Sequence, residues 1–155
     1  MAEQKIIDTR LGKRPVDADK IIHFPHGLMG LEECREFTLL QIREGAPFLV
    51  LQSMDNPGLG LMVADPYSFL ADYVIRVGKA EQAILQSEGE EDLAVLVTVS
   101  IPPGSPQDTA LSLTGPILIN HKARVGLQIL QSDVVPERVL LSECGKKAGA
   151  ESARH

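Results

Sequence analysis

Two short apolar runs, residues 48–53 and 59–64, flank the tetrapeptide Asp55-Asn56-Pro57-Gly58. That tetrapeptide is turn chemistry. Asp and Asn bond their own backbone, Pro presets φ, and Gly accepts a positive φ. The second run stops at Asp65-Pro66, because proline cannot donate to a strand ladder. The block therefore predicts a buried antiparallel pair with an acidic group at each end. A chain that commits its centre to such a pair must find further strands to cover it, since an isolated hairpin is only marginally stable.

The rest of the chain offers those strands in short pieces. Residues 5–9 and 20–24 read as strands separated by Gly12 and Pro15. The glycine-punctuated turn His26-Gly27-Leu28-Met29-Gly30 follows, then a brief helical stretch over 31–36 and a strand over 37–42. Residues 73–77 suggest another strand. The clearest helical segment is 79–86, with Ala80, Ala83 and Ile84 on one side and Lys79, Glu81 and Gln82 on the other. An acidic loop closes it at 87–92.

Residues 93–101 alternate strongly. Leu93, Val95, Val97, Val99 and Ile101 are large and apolar, and Ala94, Leu96, Thr98 and Ser100 are smaller and mixed. The pattern predicts one buried face and one partly solvated face, as in antiparallel sheets. A proline-rich loop at 102–106 leads to strands expected at 110–114, 116–120 and 126–130, the last two joined by a basic turn. The fold class expected is mainly β: an antiparallel, barrel-like single domain with one or two short helices. Closure into a barrel removes sticky edges. The domain is expected to span 1–144, with a flexible tail over 145–155.

Bulk composition narrows the function. At 155 residues the chain is long enough to bury roughly 70% of its unfolded surface. Aromatics make up only 4%, with no Trp, so the core must rest on Val, Leu and Ile. No apolar run approaches the roughly 18 residues of a membrane span, and the first residues lack the apolar stretch of a secretion signal. Cys34 and Cys144 read as two reduced thiols. Net charge is −6, unevenly placed. Between Glu44 and Asp108 stand ten acids against two bases, Arg76 and Lys79. Such a segment repels phosphate and attracts basic partners, which argues against direct nucleic-acid binding.

Catalytic and metal chemistry find little support. His23 and His26 form a His-x-x-His pair, but only Cys34 lies near as a third ligand, and Pro25 breaks any helix that would align them. Gly27 and Gly30 lack the Gly-Lys-Ser/Thr and strand–loop–helix frame of a phosphate loop. Paired carboxylates meet only in the fold, so a sequence with 21 acids leaves them open.

Several motifs in order resemble the FliW family of bacterial flagellar assembly factors over roughly residues 5–131. They are Ile6-Ile7-Asp8-Thr9-Arg10 with Gly12, and the block from Ile21 to Glu32 carrying Phe24-Pro25-His26-Gly27-Leu28-Met29-Gly30. Phe48-Leu49, Leu51-Gln52-Ser53, Asp55 with Pro57, Asp65-Pro66 and Asp72-Tyr73 follow. Val97-Thr98-Val99 and the run from Gly115 to Asn120, then Gly126 and Gln128, complete the set. The stretch from Thr109 to Pro116 departs from the family pattern, with Ser112 where Asn is usual and an altered spacing.

The resemblance implies a cytoplasmic, non-enzymatic protein without cofactor or metal, monomeric on its own, that exchanges protein partners. Those partners are newly made flagellin, held as by a chaperone, and CsrA, an RNA-binding repressor of flagellin translation that is antagonised once flagellin is exported. No membrane or nucleic-acid contact is implied. Partner contact is expected at the loop-end set Asp55, Asn56, Asp65, Asp72 and Tyr73, although Asp55 and Asp65 equally suit a turn-building role. The alternative is a small-molecule-binding or hydrolytic β-barrel, which would need a hollow interior with converging ionisable groups.

Overall fold

Short apolar segments punctuated by Gly, Pro and Asp give short strands, and the chain assembles eleven of them among the described residues. The computed structural model describes residues 4–9, 12–17, 20–41, 47–70, 73–88, 93–131 and 137–142. Its first strands are β1 (Gln4–Thr9), β2 (Gly12–Asp17), β3 (Ile22–His23) and β4 (Glu36–Gln41). The predicted hairpin follows as β5 (Phe48–Ser53) and β6 (Gly60–Ala64). Then come helix α1 (Lys79–Leu85), β7 (Leu93–Ser100), β8 (Ala110–Ser112), β9 (Ile117–Asn120), β10 (Val125–Gln128) and β11 (Arg138–Leu140). The tail expected over 145–155 lies outside the described residues.

The sheet closes on itself. β3, β4, β5, β6 and β7 pair in succession, β7 also pairs with β9, β9 with β10, and β10 returns to β3. This ring is the barrel-like architecture expected, with one difference: the β10–β3 joint is parallel and consists of the single bridge Val125–His23. The other strand pairs are antiparallel. The hairpin has the predicted register, Phe48 opposite Ala64 and Gln52 opposite Gly60.

β7 serves three neighbours. Leu93 to Leu96 pair with β9, Val97 and Thr98 with β6, and Val99 and Ser100 with β8. Extrapolated from β8, Leu96 would face Thr114, yet it faces Ile117, a step of three residues. The step is taken up around Leu113 to Pro116, inside the stretch that departs from the FliW pattern.

Both faces of β7 are covered, which corrects the expectation of one solvated face. Ala94 and Leu96 turn into the ring with Ile22, Phe24, Leu28, Phe37, Leu51, Val63, Ile117 and Ile119. Leu93, Val95, Val97 and Val99 turn outward, Val97 buried and the others half-buried, against side chains of residues 69–70 and 73–85 and of β8 and β11. Ile101 is 46% exposed, beyond the end of the strand. A smaller outer cluster seats the β1–β2 hairpin, through Ile7 and Val16, on Leu40 and Val50.

Three local expectations change for identifiable reasons. Residues 31–36 form no helix. Gly27 (φ 64°) and Gly30 (φ 81°) shape tight turns, and Leu28 and Leu31 bridge each other through both backbone hydrogen bonds. Residues 73–77 have the alternation of a strand but no ladder; the Gln131 side-chain amide bonds the backbone of Arg76 instead. Gly12 and Pro15 do not separate strands but belong to β2, where exposed Pro15 faces Ile6. Proline is tolerated there because the hairpin is an edge.

Inside the ring, Phe24 meets Phe37 edge to face, with centroids 5.4 Å apart. The same ring lies on Gly126 of β10, where an added Cβ would sit 2.4 Å from two ring carbons. Gly126 does not have the positive φ that would itself require glycine; the requirement is space. Fully burying a side chain such as Phe24 contributes about 1.5–3 kcal/mol. Gly126→Ala should therefore destabilise the protein by about 1–3 kcal/mol through overpacking, measured by urea unfolding. Gly58→Ala, whose Cβ would meet nothing nearer than 3.7 Å, should stay within about 0.5 kcal/mol.

Candidate interaction surfaces

The acidic ends of the hairpin are built locally. At the β5–β6 turn the Ser53 hydroxyl accepts the backbone N–H groups of Asp55 and Asn56, both at 3.1 Å. Asn56 Oδ1 accepts the Gly58 N–H at 3.1 Å. Beneath them, fully buried Gln52 directs Nε2 at the carbonyls of Ser53, Pro57 and Leu59, at 3.0–3.1 Å. Asp55 and Asn56 are thereby presented on a braced, exposed tip.

At the other end, exposed Asp65 accepts the Tyr67 N–H at 2.9 Å and caps the 3-10 turn Pro66–Ser68. Tyr67 is 42% exposed and its ring lies 6.0 Å from that of Tyr73. Tyr73 itself is buried, and its hydroxyl donates to the Leu113 carbonyl at 2.6 Å. Burial, with the Tyr67 phenol beside it, pushes the Tyr73 phenol up from 10.0 to about 12. Asp72 lies outside the described residues. The expected contact set is thus divided: Asp55 with Asn56 at one tip, and Asp65 near Tyr73 at the far end of β6, roughly 15 Å away at about 3.3 Å per strand residue.

Amide side chains missed by sequence reasoning hold the outer layer in place. Asn120 is buried and donates to the Leu85 and Gln86 carbonyls at 2.8 and 3.1 Å. Its Oδ1 accepts the N–H groups of Lys122 and Ala123 at 3.0 and 3.3 Å. One side chain thus stops α1 and shapes the β9–β10 turn. That matters because a helix of 7 residues is unstable alone. Gln131 pairs with Arg76 through both N–H and C=O, at 2.9 and 3.0 Å. Gln128 accepts from Met29 at 2.8 Å and donates to Gly115 at 2.9 Å, tying the Gly27–Gly30 turn to the register step. The available signal was an amide inside an otherwise apolar strand, which is expected only where backbone groups need partners.

Charge is spread more widely than a single acidic face. Of the ten acids between Glu44 and Asp108, the described ones are Asp55, Asp65, Glu81, Glu88 and Asp108. Asp55 and Asp108 lie in the connections at the Ser100 end of β7, Glu88 precedes the opposite end, and Asp65 starts the outer segment. They are dispersed over the surface and do not gather into one patch. Among the described residues no group of three or more His, Cys, Asp or Glu is placed to hold a metal ion, so His23, His26 and Cys34 do not converge. Cys34 is a free thiol packed on the ring core. No described helix is long and apolar enough to cross a membrane.

Comparison with known proteins gives one consistent result. A family model described as "FliW protein" matches residues 5–139. The flagellar assembly factor FliW of Nitratidesulfovibrio vulgaris is 65% identical over 135 residues, covering 86% of this chain and 78% of the relative. That of Desulfovibrio desulfuricans is 54% identical over 137 residues, covering 87% and 82%. A crystal structure of the flagellar assembly factor FliW superposes with a TM-score of 0.81 at 30% identity, covering 88% of this chain and 96% of that one.

Two predictions separate support from display. Asn120→Ala strands two helix-end carbonyls and should cost about 2 kcal/mol or more, read by thermal unfolding. Tyr73 carries a pH signature. Its folded phenol is raised above its unfolded value, so its contribution is intact below pH 10.0 and is lost as pH climbs towards about 12. Tyr73→Phe should lower stability by about 1 kcal/mol at neutral pH and flatten that alkaline decline, measured by unfolding midpoints across the range.

Proposed function

This chain belongs to the FliW family of flagellar assembly factors, and on that footing we propose that it works by exchanging two protein partners. It binds newly made flagellin in the cytoplasm as a chaperone, and when flagellin leaves it binds CsrA and lifts CsrA's repression of flagellin translation. The observation that carries this reading is the family match over residues 5–139 together with agreement of fold over 88% of the chain.

Physical features support a binding role over a catalytic one. The ring interior is packed with Phe24, Leu28, Phe37, Leu51, Ile117 and Ile119, each at most 2% exposed. A barrel that binds or hydrolyses small molecules needs that space. What the molecule displays is on its outside: the braced tip at Asp55 and Asn56, the Asp65 cap with Tyr67, and the exposed carboxylates of Glu88 and Asp108. The net charge of −6 speeds encounter with a basic RNA-binding protein and disfavours RNA phosphate near the complex.

The account is tested by size-exclusion chromatography of the protein with its own CsrA, followed by addition of flagellin. The expected result is a complex with CsrA that flagellin dissolves, and affinity for CsrA that falls steeply between about 0.1 and about 1 M salt as the screening length shrinks from about 10 to about 3 Å. A ternary complex without displacement contradicts exchange, and salt-independent affinity contradicts the electrostatic part. Asp55→Asn with Asp65→Asn should weaken CsrA binding while changing stability by no more than about 0.5 kcal/mol, because an asparagine Oδ1 at position 65 still accepts the Tyr67 N–H.

A further inference from the structure

The ring closes without the N-terminal hairpin. β1 and β2 form a two-stranded sheet of their own, paired from Gln4–Asp17 to Thr9–Gly12, and the ladder that runs from β3 round to β10 is complete without them. The turn is also held from within, by the Thr9 hydroxyl donating to the Gly12 carbonyl at 2.6 Å. What seats the hairpin is a cluster of side chains. Buried Val16 and half-buried Ile7 lie on Leu40 and Val50, with half-buried Ile21 and Met54 packed against them. Leu40 and Val50 are cross-strand partners on the outer face of β4 and β5. Their neighbours Leu39 and Leu51 face the other way, into the ring.

This seat differs in kind from the one that holds the outer segment over β7. There, the Tyr73 hydroxyl and the amides of Gln131 and Asn120 make directional bonds to backbone groups. Under the hairpin the contact is apolar and so non-directional. The bond from Arg14 Nη1 to the Gln41 carbonyl is exposed and long, at 3.4 Å. The hairpin's other face is open to water, with Ile6 73% exposed opposite exposed Pro15. A lone two-stranded hairpin is marginal in water, so this one owes its order to its seat.

We propose that the β1–β2 hairpin is a strap that lifts as one unit while the ring stays shut, uncovering an apolar strip of Leu40 and Val50 with Ile21 and Met54. In the closed state Val16, Leu40 and Val50 are 3–7% exposed. Lifting the strap gives up those contacts. It leaves the strand pairs of the ring in place, and with them the packing of Phe24 on Gly126, because β1 and β2 take no part in either. The open state therefore lies between the native and the unfolded chain, as a sub-global opening. It gives the scaffold an apolar surface that exists only while the strap is up. The inference does not depend on which proteins the ends of the β5–β6 hairpin bind.

The test uses the full chain, by amide hydrogen exchange in urea below the unfolding midpoint. The amides of β1 and β2 should share one opening with a weak urea dependence. Those of β4 to β7 should exchange at least about tenfold more slowly and depend steeply on urea, since the slope follows the surface exposed. Thiol labelling then reads the strip itself, with Val50→Cys or Leu51→Cys placed in a Cys34→Ala, Cys144→Ala background. These neighbours lie on opposite faces of β5. The thiol at position 50 should react at least about tenfold faster than that at 51, and adding Val16→Ala should speed it about tenfold further, the loss of two buried methyl groups. The proposal is overturned if strap and ring amides exchange through one opening with a common urea dependence, or if the strap amides open singly with unrelated free energies. Unprotected strap amides also overturn it, since the strap is then never closed, as does a labelling rate at position 50 that Val16→Ala leaves unchanged. Should the cysteine variants not fold, exchange on the parent chain decides.

Discussion

The packing of Phe24 on Gly126 is the contact on which this ring depends. Phe24 follows β3 directly, and Gly126 sits within β10, so the contact spans the joint where backbone pairing amounts to a single parallel bridge. Hydrogen bonds between strands hold the rest of the ring, but here a side chain does most of the closing. Phe37 braces Phe24 from β4, and Ile117 and Ile119 complete the wall from β9. With the joint shut, the ring interior is packed with these side chains. The Gly126 and Phe24 positions are also two of the residues on which the likeness to FliW rests, and the structure supplies a physical reason for each.

A second layer wraps the outside. Side chains of residues 69–70 and 73–85 lie over β7, β9 and β10 and cover the outward side chains of those strands. Little of this layer is held by its own secondary structure. Tyr73 is pinned by its hydroxyl, Arg76 by the Gln131 amide, and the end of α1 by Asn120. Polar side chains thus do for the outer layer what a strand ladder does for the ring. Because each buried amide satisfies several backbone groups, removal of one leaves several groups unpaired in a region shielded from water.

What could be read from the sequence divides along the range of the forces involved. The hairpin at Phe48 to Ala64 and the helix at Lys79 to Leu85 were legible because turn chemistry and helical periodicity are local. β2 and β11 were not, since each is a short edge strand whose partner is decided by tertiary packing. The alternation of residues 73–77 was legible as an extended segment, but the source of its hydrogen bonds was not, because a glutamine far along the chain provides them. β7 was legible as a strand, and its two faces were misjudged because Ala94 and Leu96 looked modest beside the valines. At the hairpin ends, Asp65 as a cap followed from Pro66. The burial of Tyr73 could have been inferred from its phase with Ile75 and Val77.

The central claim is that the ring is a filled, rigid scaffold and that partners engage its exterior. Amide hydrogen exchange, compared between the free protein and its complex with flagellin, tests this most directly. The account predicts added protection in the β5–β6 turn or in residues 65–78, with the amides of Phe24, Phe37, Leu51 and Ile117 slow in both states. Marked loss or gain of protection at those four interior positions, with the exterior unchanged, would contradict it.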